Sequence, residues 1–237
     1  MDSYVIAPIK SVPDDILQAL NTMMNSDCEP GKFSLIELRN TYSKNTDILY
    51  LIEDGVPVYF LLLDLFPTHK TVYIHDVCAG IKSRGKGIFK RSLNYLKGHY
   101  GRLGFLTLTL DASDSAAEAG LDQKARIRIF GGAGFHINTE TGYFKMDGDW
   151  AVMKTTVLLD DGTTAEIQER SDAGYVVSSG AASAETRVIG INQIEKCFDA
   201  ESNQISCPMI MAIPKNGGRR KAYSKRRTLR KSKNKLH

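Results

Sequence analysis

At 237 residues, 42% hydrophobic and 24% charged, the chain has enough apolar side chains for one sizeable core and an appendage. Its richest apolar region, residues 48–66, is broken by Glu53, Asp54 and Asp64, which argues against a membrane span, and residues 1–10 lack the pattern of a signal peptide. The net charge of +4 is unevenly spread: 11 Lys and Arg and no acid lie from Lys215 onward, leaving 20 basic against 27 acidic residues before it, a body of net −7.

Residues 4–8 read as a short first strand. Ser11-Val12-Pro13-Asp14-Asp15 reads as a helix start with Ser11 as cap, and Ile16, Leu17, Leu20, Met23 and Met24 follow at helical spacing. Residues 25–32 read as a loop. Segments 48–52 and 56–65 flank Glu53-Asp54-Gly55, the turn chemistry of an antiparallel hairpin, and Pro67-Thr68-His69-Lys70 turns the chain into a third strand at 72–79. Arg84-Gly85-Lys86-Gly87 then precedes a helix whose Phe89, Leu93, Leu96 and Tyr100 share one face. A glycine turn at a helix N-terminus gathers unpaired amides at the positive end of the dipole, where an anion such as phosphate is favoured.

Leu106, Leu108 and Leu110 alternate with Thr107 and Thr109 as in a strand, so 72–110 reads as a strand-helix-strand crossover with parallel strands. A loop is expected at 111–120 and a helix at 121–130, ending at Gly131 to Gly134. Strands follow at 144–146 and 150–159. Residues 163–169 and 174–178 can pair as a hairpin, 181–213 shows no clear period, and 215–237 has almost nothing to bury and is expected to be disordered. Cys28, Cys78, Cys197 and Cys207 lack paired spacing, which predicts neither a zinc site nor a disulfide scaffold and points to a reducing, intracellular compartment, cytoplasmic or nuclear. Cys78 reads as a small buried hydrophobe.

The turn and its surroundings resemble the central motif of the GNAT family, the acetyl-CoA-dependent N-acetyltransferases, in which Arg-x-x-Gly-x-Gly/Ala amides hold the pyrophosphate of coenzyme A. Arg84 and Gly87 fit the first and fourth places, with Phe89 at the sixth; an alternative register starts at Lys82 and puts Gly85 and Gly87 in the glycine places. Gln123 to Phe135 resembles the family's Asn-x-x-Ala-x-x-Leu-Tyr-x-x-x-Gly-Phe pattern, with Gln123 at the asparagine and Phe130 at the tyrosine, and 150–154 resembles its closing strand. The resemblance implies an α/β, GNAT-like acyl-CoA N-acyltransferase fold over residues 1–159. Its central sheet is mixed and mostly antiparallel, with a splayed parallel strand pair and flanking helices. An extension of unclear structure (160–214) and the tail (215–237) follow.

It also implies acetyl-CoA as cofactor, with Arg84, Gly85, Lys86 and Gly87 at the pyrophosphate, Val77 and Ala79 aligning pantetheine and thioester, and Gln123 and Phe130 nearby. The acceptor is an amine: a small-molecule amine, a polyamine, or a protein lysine or N-terminus. His75, on the strand face of Val77, is the expected base, with Asp76 the alternative if the strand bulges. Phe130 has no hydroxyl to protonate the leaving thiolate, so Tyr143 or water serves, or the thiolate leaves unaided. Arg219-Arg220-Lys221 and Lys225-Arg226-Arg227 suit an import receptor or nucleic acid. The competing reading is a non-catalytic GNAT-like module whose tail binds nucleic acid.

Overall fold

The computed structural model describes residues 4–28, 34–41, 45–113, 122–139, 143–144, 150–151, 155–179, 186–199 and 206–214. In chain order its elements are β1 (Tyr4–Pro8), α1 (Asp14–Met23), α2 (Leu35–Thr41), β2 (Thr46–Glu53), β3 (Val56–Phe66), β4 (Thr71–Ala79), α3 (Ile88–Arg102), β5 (Thr107–Ser113) and α4 (Gln123–Ala133). Then come β6 (His136–Ile137), β7 (Tyr143–Phe144), β8 (Trp150–Ala151), β9 (Thr155–Leu159), β10 (Thr164–Ser171), β11 (Gly174–Ser178), β12 (Thr186–Ile189), β13 (Ile194–Asp199) and β14 (Ser206–Ala212).

The predicted three-strand meander forms as β2 to β4, and β1 adds to it antiparallel to β2. The β2–β3 hairpin turns on Asp54 and Gly55, both at positive φ (51° and 79°), the conformation that matches strand twist in a two-residue turn. From β4 the chain crosses over through α3 to β5, which runs parallel to β4, and a seven-stranded sheet results in the order β1-β2-β3-β4-β5-β14-β6. The fold is therefore α/β, with a mixed, mostly antiparallel sheet and one parallel pair, as expected.

Strand alternation gives this sheet two apolar faces. Ile48, Tyr50, Phe60, Leu62 and Cys78 pack with Leu17 and Leu20 of α1 and with Leu35. Leu61, Leu63, Val72 and Ile74 pack on the other face with Ile88, Leu93, Leu96 and Tyr100 of α3 and Ile127 of α4.

Four expectations are corrected. Ser11 is no cap: α1 starts after Pro13, and the Ser11 hydroxyl donates to the Pro8 carbonyl at 2.8 Å. Residues 25–28 continue the first helix as a wide turn over Met24–Cys28 rather than opening a loop. Residues 150–159, expected as one strand, contribute β8, paired with β7, and β9, the fourth strand of a second sheet, while β14, from the stretch without a clear period, stands beside β5. All four cysteines are paired, Cys28 with Cys78 and Cys197 with Cys207, so their spacing no longer points to a reducing compartment.

The second sheet has the order β12-β11-β10-β9-β13 and contains the predicted hairpin as β10 and β11. Val157, Leu159, Ile167, Tyr175 and Val177 of this sheet join the core that holds Ile127 and Met209, so it packs against α4 and β14. Between β8 and β14 the chain thus builds a whole sheet before returning to complete the first one. No helix among the described residues is long and apolar enough to cross a membrane. The basic stretch 215–237 and most of the expected loop at 111–120 lie outside the described residues; β5 itself runs on to Ser113.

Candidate functional site

The pairing of β4 decides what its outer edge offers. Tyr59 faces Ala79 and Leu61 faces Val77, and the Gly80 amide donates to the Val58 carbonyl at 3.0 Å. In an antiparallel ladder that bond makes Tyr59 and Ala79 a non-hydrogen-bonded pair, so the backbone N–H and C=O of Ala79, and of Val77 two residues earlier, point away from β3. On that side β5 pairs with β4 only from Thr71 to Tyr73. Beyond Tyr73 the parallel strands diverge, and the polar groups of Val77 and Ala79 face the opening. Ala79 is half-buried and Val77 exposed, so their backbone groups are open to a ligand there.

The opening leads to the glycine turn. Gly85 and Gly87 have φ of 74° and 68°, a region that only glycine enters cheaply, and Gly87 caps α3. A methyl group at Gly85 would meet nothing within 4 Å, and at Gly87 only an Arg91 guanidinium nitrogen at 3.9 Å, so the space before the turn is open. The amides of Gly85, Lys86 and Gly87 find no acceptor among the described residues, and those of the first turn of α3 have none within the helix. No acidic side chain occupies that first turn.

Arg84 does not reach outward. Its Nε donates to the Ala79 carbonyl at 3.2 Å and its Nη2 to the Asp27 carbonyl, while the Asp27 carboxylate accepts from the Ile81 amide at 2.9 Å. Chiefly through that amide bond, the Asp27 carboxyl is held below its ordinary range. Arg84 thus folds the turn against the end of β4, leaving Ala79 only its N–H for the opening. Lys86 is exposed, and its carbonyl accepts from Arg91 at 2.6 Å.

His75 occupies a β-bulge: Leu63 faces Ile74 and Leu62 faces Asp76, so His75 is the extra residue and, contrary to expectation, does not share the face of Val77. The bulge brings the two neighbouring side chains together, and His75 Nδ1 lies 2.5 Å from Asp76 Oδ2. With the proton on Nδ1 donated to the carboxylate, the basic lone pair of the imidazole is on Nε2. Both side chains are largely shielded, and a cavity of about 10 Å³, room for about one water, lies beside His75, Asp64, Thr46, Leu62 and Leu38.

Gln123 is elsewhere. It is buried, with its amide nitrogen donating to the carbonyls of Ala112 (2.9 Å) and Cys197 (3.3 Å) and its oxygen accepting from the Cys197 amide (2.8 Å), a clamp between β5 and β13. Phe130 packs on Phe89 at the start of α3, ring centroids 5.6 Å apart, and on Phe135 at 6.3 Å. Tyr143 faces Ala151 in the β7–β8 pair.

Sequence reasoning missed the groups around His75. Tyr73 donates to Asp111 Oδ2 at 3.0 Å, and Thr46 donates to Asp64 at 2.8 Å. Burial raises the carboxyls of Asp64 and Asp111, the latter to about 6. The signal was available: Asp64 interrupts an apolar strand, and Asp111 continues the Thr107-Thr109 side of β5.

Sheet order, parallel splay and glycine turn decide the architecture. The chain has the GNAT fold. It is similar to the Tetrahymena GCN5 structure, at 10% identity and a TM-score of 0.50 over 91% of this chain and 98% of that one. It is also similar to an aminoglycoside 6′-N-acetyltransferase complexed with coenzyme A, at 11% identity and a TM-score of 0.51 over 90% and 99%. No family model and no curated protein matches its sequence. Within the GNAT fold, the second sheet of this chain lies between the strands β8 and β14.

Proposed function

We propose that this chain is an N-acetyltransferase that moves an acetyl group from acetyl-CoA to an amine. The observation that carries the reading is the open edge of β4 at Val77 and Ala79, leading to the amides of the Gly85–Gly87 turn at the N-terminus of α3. That arrangement fits a ligand with an extended amide-bearing arm and a pyrophosphate, and the likeness to the complex with coenzyme A supports the same donor. Bound there, acetyl-CoA supplies a thioester whose carbonyl carbon an amine attacks.

The roles of the side chains follow from their placement. Amides 85–87 and the first turn of α3 bind the pyrophosphate, with Lys86 adding charge. The Val77 and Ala79 N–H groups bind the arm and polarise the carbonyl. His75, oriented by Asp76, takes the proton of the attacking amine, directly or through water in the adjoining cavity. Phe130 walls the thiol end with Phe89 and donates no proton, which leaves Tyr143, water or unassisted thiolate departure.

The full chain incubated with acetyl-CoA and a panel of amines, with thiol release followed, tests the reading. Amine-dependent release that falls strongly in His75→Ala supports it; no release with any amine contradicts it. Because Phe130 lacks a hydroxyl, the second reading is a GNAT-like module without turnover, whose basic tail contacts nucleic acid. Acetyl-CoA binding without amine-dependent release, together with salt-sensitive retention on DNA, would favour that one.

A further inference from the structure

The face of the first sheet that carries α1 and α2 gathers unusual polarity at the splay. Tyr73 pairs with Asp64 on one side and Thr109 on the other, and partners in a ladder share a face. Two residues beyond the last β4–β5 pair, His75 and Asp111 stand opposite one another on the diverging strands. Asp64, Asp76 and Asp111 therefore surround Tyr73 and His75. Among the described residues, the groups that act on Asp64, Tyr73 and Asp111 are each other, Asp76, His75 and the hydroxyls of Thr46 and Ser206, with no Lys or Arg among them.

Two atoms in this cluster have no hydrogen-bond partner among the described residues: Oδ1 of Asp111 and Oγ1 of Thr109, the latter on a side chain only 7% exposed. They lie two residues apart on one side of β5. Buried polar atoms are almost always paired, so two adjacent orphans mark a place meant for a donor. A carboxylate and a hydroxyl accept well from an ammonium, which brings several N–H donors and the compensating charge. No set of three or more His, Cys, Asp and Glu among the described residues is arranged to hold a metal ion.

We propose that Asp111 and Thr109, with Asp64 and Asp76 facing them, form an ammonium subsite, so that the acceptor is a diamine or polyamine, an amine with a second cationic nitrogen a few bonds from the one acetylated. This rests on the acetyltransferase reading. The attacking nitrogen sits at His75, and the second nitrogen crosses the opening of the splay to Asp111. As the N–C bond forms and the C–S bond breaks, the electron pair leaves on sulfur and the nitrogen gives up a proton to His75. The second ammonium stays charged throughout.

The test compares 1,4-diaminobutane with butylamine on the full chain, by thiol release with acetyl-CoA and by thermal unfolding with amine alone. The diamine should be favoured in kcat/KM by roughly 10- to 100-fold, the worth of one charge-assisted hydrogen-bonded contact. It alone should raise the Tm in the absence of the donor. Asp111→Asn and Thr109→Val should each shrink the preference, Asp111→Asn mainly through KM. Equal turnover of the two amines, or a preference unchanged in Thr109→Val, overturns the subsite even if Asp111→Asn fails to fold. If acetyl-CoA neither stabilises the chain nor is consumed, the acetyltransferase reading fails. The diamine's effect on Tm without donor then still decides the subsite, a rise supporting it and no rise overturning it.

Discussion

Replacing Asp111 by Asn should stabilise the protein at neutral pH, and the size of the effect follows from where the carboxyl sits. Its Oδ1 is out of solvent and without a partner among the described residues, and burial lifts the folded-state pKa from 3.8 to about 6 although the Tyr73 and Ser206 hydrogen bonds pull the other way. A carboxyl raised on folding binds its proton more tightly in the folded state. Its contribution is fully present below the unfolded value near 3.8 and is lost as pH rises through about 6. The shift corresponds to a loss of up to about 3 kcal/mol by pH 7. Asn has nearly the shape of the neutral acid and still accepts from Tyr73, so the variant should match the original chain at pH 4 and exceed it increasingly above pH 5. In urea unfolding the gap at pH 7 should be on the order of 1 M in midpoint. Midpoints that stay parallel from pH 4 to pH 7.5 would refute the burial of a titrating carboxyl at this place.

The other predictions concern the turn, the tether and the clamp. Gly87→Ala should cost about 1–2 kcal/mol through positive φ alone, because nothing stands in the way of the methyl group. Gly87→Asp should abolish acetyl-CoA binding as well, since it sets an anion at the phosphate position, and calorimetric titration separates the two effects. Losing the Cys28–Cys78 bridge, which spans 50 residues, should cost about 4 kcal/mol in the chain-entropy account, against about 3 kcal/mol for the 10-residue Cys197–Cys207 bridge. Denaturant curves of the two Cys→Ala double variants rank them. Gln123→Leu should cost roughly 2–4 kcal/mol, because it leaves the Ala112 and Cys197 backbone groups buried without partners. An unchanged denaturation midpoint would contradict the clamp.

Much of the fold was legible because local signals agreed with the tertiary outcome. The Asp54-Gly55 turn, the alternation of β5, and the spacing of Leu93, Leu96 and Tyr100 each had one cheap solution. Gly85 and Gly87 were legible for the same reason, since positive φ leaves a mark in residue choice. Helix α2 was not legible: seven residues carry too little periodicity, and its start rests on the Ser34 hydroxyl accepting from the Glu37 amide at 3.4 Å. Strand β14 was missed because 181–213 shows no clear period, and only long-range pairing with β5 makes a strand of 206–212. Gln123 was assigned to the donor site by its place in a motif, whereas the added sheet draws its amide to Cys197. The acidic cluster was scattered over β3, β4 and β5, and only their pairing assembles it.

The most direct measurement is the thermal unfolding of the full chain titrated with acetyl-CoA, with NAD and ATP as controls and Gly87→Asp as the broken site. Donor bound at the open edge of β4 and the glycine turn should add about 2.7 kcal/mol at 100 times its dissociation constant, with no effect of NAD or ATP and none in the variant. No stabilisation by acetyl-CoA or CoA, or an equal rise in Gly87→Asp, would contradict the account.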